Sequence, residues 1–376
     1  MVYLPAVVEQ QEWRAELAAR RKAVGAVVER SGCEALLVFG SHGRGEHFRY
    51  LTNFAPVLGD MWLVLGDGRI SCVVDFDWQV DEARQRSGID DWRGGGRPVE
   101  VVAELLAELS PRRLAVAGLD RLPVTAFELL RSKLRDTAVF DVGAELAALR
   151  RRKSELEARL LREAARLTDG ALDVARAEAR PGISERDLAA RIGYALGPEW
   201  SFPPTVVSGN DDPIPIREPT SRRLQEGDTV MVDIGAACEG YQADATRTIV
   251  LRAPNELQRR VWETVLRAYD AVLEAARPGT ACVALNKVAA EVVDAEGFRL
   301  AHRIGHGIGL HTSFEWPDLS SEQAPLEPGV TICIEPSIAV DGAGVMKLED
   351  DVLITESGCE LLTESERSLA AAAVTA

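Results

Sequence analysis

The stretch Val230 to Thr248, VMVDIGAACEGYQADATRT, carries two aspartates, Asp233 and Asp244, on either side of a Gly240-Tyr241 turn. The apolar run before Asp233 and the β-branched run after Asp244 read as strands, and the glycine between them as a hairpin. One strand that delivers a carboxylate and a second that returns with another lets a sheet converge acidic side chains on a small cation.

Working outward, the chain repeats itself. AEARPGISERDLAARI (177–192) is echoed by EAARPGTACVALNKVA (274–289): a helix stopped by Arg-Pro-Gly, then a new helix capped by Ser184 in the first copy and Thr280 in the second. LQEGDTVMVDIG (224–235) is echoed by LEPGVTICIEPS (326–337), so Asp233 and Glu335 fall at the same offset from Gly227 and Gly329. Such a duplication implies two similar α+β halves facing each other, with their carboxylates near the junction. Each repeated strand is followed by a further acid, Asp244 in the first half and Glu349, within GVMKLEDDVLIT, in the second. Between the halves HRIGHGIGLHTSFEWP (302–317) holds His302, His306 and His311, three of the chain's five histidines. Buried strand acids without counter-charge would cost several kcal/mol per ion. Four carboxylates and an imidazole instead suit a pair of divalent ions such as Mn²⁺, Co²⁺, Zn²⁺ or Fe²⁺, with two carboxylates bridging.

The remainder of the chain bounds the reading. Its 376 residues suggest two domains. The balance of 43 basic against 59 acidic side chains, a formal charge of −16, disfavours nucleic acid and anionic membrane as partners. Six cysteines without CxxC spacing read as buried reduced thiols. The N-terminus lacks a basic region followed by an apolar stretch and cleavage site, and no apolar run approaches membrane-spanning length, so a cytoplasmic location is expected.

Residues 1–148 read as a smaller α/β domain: a helix over 11–30, a strand over 34–40, a hairpin through Gly66-Asp67-Gly68, a helix near 99–109, a strand over 114–120 and a helix near 124–134. GGGR (94–97) is expected to be a loop that follows no strand and opens no phosphate-binding helix, and His42 and His47 to be loop residues. One long amphipathic helix is expected from about 146 to 180, with the domain boundary in its charged start and residues 149–376 forming the larger domain.

VDIG with ADATRT, GHGIGL, IEPS and KLEDDVLIT resemble the metal-ligand motifs of the M24 metallopeptidases, the prolidase, aminopeptidase P and methionine aminopeptidase group. The resemblance covers roughly residues 150–365. It implies an α+β "pita-bread" fold with a pseudo-twofold repeat, preceded by a creatinase-type N-terminal domain. It assigns Asp233 to one metal, Asp244 and Glu349 to both as bridges, and His306 and Glu335 to the other. Glu335 and His302 become the catalytic residues. A homodimer is implied, in which N-terminal residues such as His42 and His47 lie near a neighbour's cleft. The metals expected are two divalent ions, Mn²⁺ foremost.

Departures from the family pattern fall in the substrate shell, where His302, His311, Ser313, Ile216 and Lys347 are the candidates. Ile216 and Ser313 stand where substrate-side histidines are expected, His311 stands at an acidic position, and Lys347 replaces an arginine. Each lost oxyanion donor costs about 2.7–4 kcal/mol of transition-state stabilisation. Trp316 and Phe314 read as packing residues beside the histidine loop. The expected function is hydrolysis of an amide or related C–N bond in a dipeptide or other small substrate. The alternatives are a lyase or hydrolase of a non-peptide metabolite on the same fold, and a non-catalytic binding protein.

Overall fold

In the computed structural model the chain divides into two units, Met1–Arg150 and Arg151–Ala376, and residues 8–211, 214–311 and 315–369 are described. No helix among them is long and apolar enough to cross a membrane.

The first unit runs α1 (Gln10–Arg30), β1 (Ala35–Ser41), α2 (Glu46–Thr52), β2 (Asp60–Gly66), β3 (Arg69–Val74), α3 (Val80–Ser87), β4 (Asp91–Gly94), α4 (Pro98–Leu109), β5 (Arg113–Ala117), α5 (Val124–Lys133), β6 (Ala138–Asp141) and α6 (Gly143–Leu149). Its six strands form one sheet in the order β4-β3-β2-β1-β5-β6. β1, β2 and β3 pair antiparallel, while β4, β5 and β6 join in parallel. The β2–β3 turn places Asp67 at φ 50° and Gly68 at φ 70°, the left-handed pair that a two-residue hairpin needs. Leu37, Val73, Leu106, Val116 and Leu130 fill the core between sheet and helices.

Two expectations for this unit are overturned. GGGR does follow a strand, because the short polar DWRG forms β4 beside β3 with no apolar alternation to announce it. Its first glycine answers a close approach of backbone: a Cβ on Gly94 would lie 2.6 Å from the Asp77 Cα. His47, expected in a loop, sits buried within α2. The Arg150 guanidinium donates to His47 Nδ1 at 2.5 Å, and Arg121 pairs with Glu46 at 2.6 Å. Burial and the Arg150 charge push His47 down to about 3. Burial alone would raise Glu46, but Arg121 and Arg150 bring it to about 2. His47 is therefore a neutral acceptor turned inward, toward Arg150.

The second unit begins with α7 (Glu155–Glu178) and α8 (Glu185–Leu196), followed by β7 (Thr205–Ser208), β8 (Thr229–Ile234), β9 (Ala237–Cys238), β10 (Tyr241–Gln242) and β11 (Ala245–Val250). The second half of the unit supplies α9 (Glu256–Ala275), α10 (Cys282–Ala295), β12 (His306–Gly307), β13 (Glu315–Asp318), β14 (Thr331–Ile334), β15 (Ser337–Val340), β16 (Gly344–Lys347), β17 (Asp350–Ile354) and β18 (Cys359–Leu361). The single helix expected over 146–180 is broken. α7 starts afresh behind Ser154, whose Oγ accepts from Glu157 N while Glu157 Oε2 accepts from Ser154 N. That capping box outweighs leucine periodicity that continues across it.

The duplication is visible in the hydrogen bonds. In the first half β8 lies between β7 and β11; in the second, β14 lies between β12 and β17. Gly227 N donates to Leu251 O, and Gly329 N donates to Ile354 O, so the two turns fix the same register in each half. Each half has its own core, Leu188, Ile192, Val206, Val232 and Ile249 in one and Val265, Leu285, Val293, Ile332 and Val352 in the other. The second helical copy differs at its start: Ala281 is the cap residue, and Thr280 instead donates to Ala275 O.

The halves join edge to edge where Thr246 N donates to Glu349 O at 3.3 Å and Glu349 N returns to Thr246 O at 3.2 Å. Next to this seam Asp350, fully buried, is held by Arg247 at 2.6 Å, Arg367 at 2.9 Å and the Thr363 hydroxyl at 2.9 Å. Its neighbour Asp351, equally buried, accepts from Asp244 N at 2.9 Å but leaves Oδ1 without a partner. Burial pushes Asp351 well above the usual carboxylate range.

Two stability outcomes follow from these groups. Removing the charge of Asp350 strands the buried Arg247 and the half-buried Arg367, so Asp350→Asn should lose about 3–5 kcal/mol in urea unfolding. For His47, the unfolded chain binds a proton below its ordinary value of 6.5 and the fold does not until about 3. Stability is therefore complete above 6.5 and declines as pH falls toward 3. Between 6.5 and the ordinary glutamate value of 4.5, His47→Gln should flatten the decline that denaturant titrations show for the parent protein.

Candidate metal centre

Asp233, Asp244, His306, Glu335 and Glu349 are brought together at the seam between the two half-sheets, all buried. The register explains the convergence. Asp233 on β8 faces Thr246 on β11, and Asp244, two residues before Thr246, shares its face. Ile334 pairs with Asp350, which sets Glu335 and Glu349 opposite each other just beyond the ends of β14 and β17.

His306 reaches the same point because glycines flank it. A Cβ at Gly305 would lie 2.2 Å from the Cys333 carbonyl oxygen, and one at Gly307 would lie 2.1 Å from that of Trp316. Only glycine lets this segment thread between β13 and β14. His306 Nδ1 donates to Gly307 O at 3.1 Å, which leaves Nε2 as the lone-pair nitrogen. That nitrogen stands 3.7 Å from Asp244 Oδ2 and 3.7 Å from Glu335 Oε1, the separation of atoms arranged around a shared ion. Donor atoms of Asp244, His306, Cys333 and Glu349 all fall within 4.8 Å of one another. Asp233 Oδ1 and Glu349 Oε1 are buried acceptors with no donor. A nitrogen lone pair, converging carboxylates and orphaned acceptors fit a divalent cation.

The other pole of the cluster is Lys347. Its ammonium lies 2.9 Å from Asp233 Oδ2, 2.8 Å from Glu335 Oε2 and 2.8 Å from Glu349 Oε2. Burial works to lower it, but those carboxylates hold Lys347 well above the ordinary lysine range. Burial raises Glu335 too, yet Lys347, His306 and His302 bring it below its usual value. Asp244 is pushed well up by burial and by Glu349 and Asp233.

A cavity of about 500 Å³ opens over the cluster, with Phe202, Thr205, Ile216, His302 and Arg303 in its lining. His302 Nδ1 donates to Arg303 O at 2.5 Å, and its Nε2 has no partner. Arg303 pairs with Asp318 at 3.2 Å and stands 3.9 Å from Glu335 Oε1. Ile216, with 58% of its surface exposed, makes that wall apolar. His311 is half-buried at the edge of the segment 312–314. Ser313 and Phe314 lie outside the described residues. Trp316 packs on the second-half core, under the Arg151 guanidinium at 4.5 Å, with Nε1 donating to Glu322 at 2.6 Å.

Three neighbours escaped the sequence reading. Thr246 donates to Glu349 Oε2 at 2.7 Å, Asp351 anchors the Asp244 backbone, and Cys333 turns its thiol toward the cluster, raised well above its ordinary value by burial. Strand alternation carried the signal for two of them, since Thr246 follows Asp244 by two residues and Cys333 precedes Glu335 by two.

The model of metallopeptidase family M24 matches residues 159–356, and that of the creatinase/prolidase N-terminal domain matches residues 20–152. The chain belongs to the M24 family. This M24 metallohydrolase is 37% identical to the Xaa-Pro dipeptidase of Pyrococcus furiosus over 85% of the chain and 91% of that protein. It is 29% identical to the Xaa-Pro dipeptidase of Pyrococcus horikoshii over 91% of the chain and 96% of that protein. Among solved structures, the prolidase from Pyrococcus horikoshii superposes with a TM-score of 0.85 at 26% identity, covering 93% of this chain and 99% of that one.

Proposed function

We propose that this M24 member is a metal-dependent dipeptidase acting on Xaa-Pro dipeptides. The observation that carries the reading is the clustering of Asp244, His306, Glu335 and Glu349 beneath a cavity with an apolar wall and a single facing guanidinium. The curated relatives quoted above are themselves Xaa-Pro dipeptidases. Asp244, His306, Glu335 and Glu349 would hold the ion, with Mn²⁺ foremost among the candidates. When bound, a divalent cation supplies Lewis-acid polarisation of the scissile carbonyl and lowers the pKa of water.

The chain's own residues supply the rest. Glu335, held ionised by the Lys347 ammonium, is the general base that takes a proton from the attacking water and passes it to the departing amide nitrogen. His302, its Nδ1–H engaged by Arg303 O, presents the lone pair of Nε2 to the cavity, where it would accept a hydrogen bond from an N–H of the substrate. Phe202 and Ile216 offer an apolar surface for a pyrrolidine ring. Arg303, already balanced by Asp318, is placed to receive the free carboxylate of a short substrate.

Glu335→Gln keeps the shape and removes the base, so kcat for an Xaa-Pro dipeptide should fall by about 10²–10⁴. Running the parent enzyme in H₂¹⁸O should place label in the product carboxylate. Cleavage without incorporation would identify a lyase, and undiminished turnover by Glu335→Gln would remove Glu335 from the mechanism.

A further inference from the structure

The two halves of the second unit do not contribute like for like. Gly227 N and Gly329 N donate to Leu251 O and Ile354 O, which makes Leu251 and Ile354 equivalent positions in the duplication. Counting back five residues from each makes Thr246 equivalent to Glu349, the pair that joins the halves, and counting back seven makes Asp244 equivalent to Lys347, at the end of β16. Where the first half delivers a carboxylate, the second delivers an ammonium.

That ammonium is seated as a metal would be. Its three N–H donors meet three carboxylate oxygens, from Asp233, Glu335 and Glu349, at 2.8–2.9 Å. The Lys347 side chain is only 3% exposed. A divalent transition ion bound to the same three oxygens would lie about 2.0–2.2 Å from each of them, on nearly the same point in space. Both cannot be there.

The glutamates divide accordingly. Glu335 gives Oε2 to Lys347 and turns Oε1 toward His306 Nε2; Glu349 gives Oε2 to Lys347 and Thr246 and leaves Oε1 unpartnered. Glu335 therefore spans from the ammonium to His306, and Glu349, the bridging ligand of the resemblance, meets the ammonium with one oxygen and keeps the other free for an ion. At the His306 side Asp244 has no ammonium or guanidinium within ion-pair distance among the described residues.

We infer that Lys347 is a built-in substitute for one of the two metals: the centre takes a single divalent ion at the His306 side, and the lysine ammonium neutralises the Asp233 side. The inference rests on the metal-dependent reading above and replaces the sequence expectation of two ions. In this arrangement Asp233 is a partner of Lys347 and not a metal ligand.

The test is metal stoichiometry on the full chain, equilibrated with excess Mn²⁺, freed of unbound ion and analysed by plasma mass spectrometry. The parent protein should hold one Mn²⁺ per chain and Lys347→Met two. Electron paramagnetic resonance of the Mn²⁺-loaded parent should show isolated Mn²⁺, a readout that does not depend on how well the variant folds. Two ions per parent chain with an exchange-coupled spectrum would overturn the inference while leaving the metallohydrolase reading intact. One ion in both parent and Lys347→Met would overturn the lysine as the cause. No bound ion in the parent would overturn the inference and the metal-dependent reading together.

Discussion

Four acidic side chains, Asp233, Asp244, Glu335 and Glu349, are buried around one cluster, and their mutual repulsion is the constraint that the second unit is built around. Charges taken out of water at such spacing are tolerated only with counter-charge and hydrogen bonds close by. Lys347 supplies one positive charge at the centre, and His306 presents a lone pair for another cation. A further layer stiffens the frame: Arg247 and Arg367 on Asp350, Asp351 on the Asp244 backbone, Thr246 on Glu349. The pseudo-twofold duplication is the economical way to bring so many acids to one place, because each half contributes a strand end and a returning strand at the same level.

Much of this was legible in the sequence, for a physical reason. A carboxylate in an apolar strand is conspicuous, and the matching offsets of Asp233 from Gly227 and Glu335 from Gly329 reflect turns that set one register in both halves. GHG was legible as a motif, but its cause was not: the flanking glycines answer carbonyls of Cys333 and Trp316, distant in sequence or across a turn. Similarly, Lys347 read as a substrate residue by position. That its ammonium would be held by three carboxylates depends on the length of its side chain and on the meeting of two sheets, neither of which local pattern encodes.

Two of the errors were of the same kind. The helix expected over 146–180 breaks because a capping box at Ser154 and Glu157 competes with a continuous leucine stripe. β4 was missed because an edge strand of four mostly polar residues has no period to detect. His47 was placed in a loop because glycines crowd the segment before it, yet α2 begins at once and folds the imidazole against Arg150. For β4 and His47 tertiary contact decides between readings that sequence leaves balanced, whereas the helix break is a local capping signal.

The account stands on cation binding by the buried acids, and the most direct measurement is chemical denaturation of the metal-free chain with and without Mn²⁺. Binding to the folded state alone should raise unfolding free energy by about 2.7 kcal/mol at a hundredfold excess over the dissociation constant. That gain should vanish in Asp244→Asn. An unfolding curve indifferent to Mn²⁺, or a gain that survives Asp244→Asn, would contradict it.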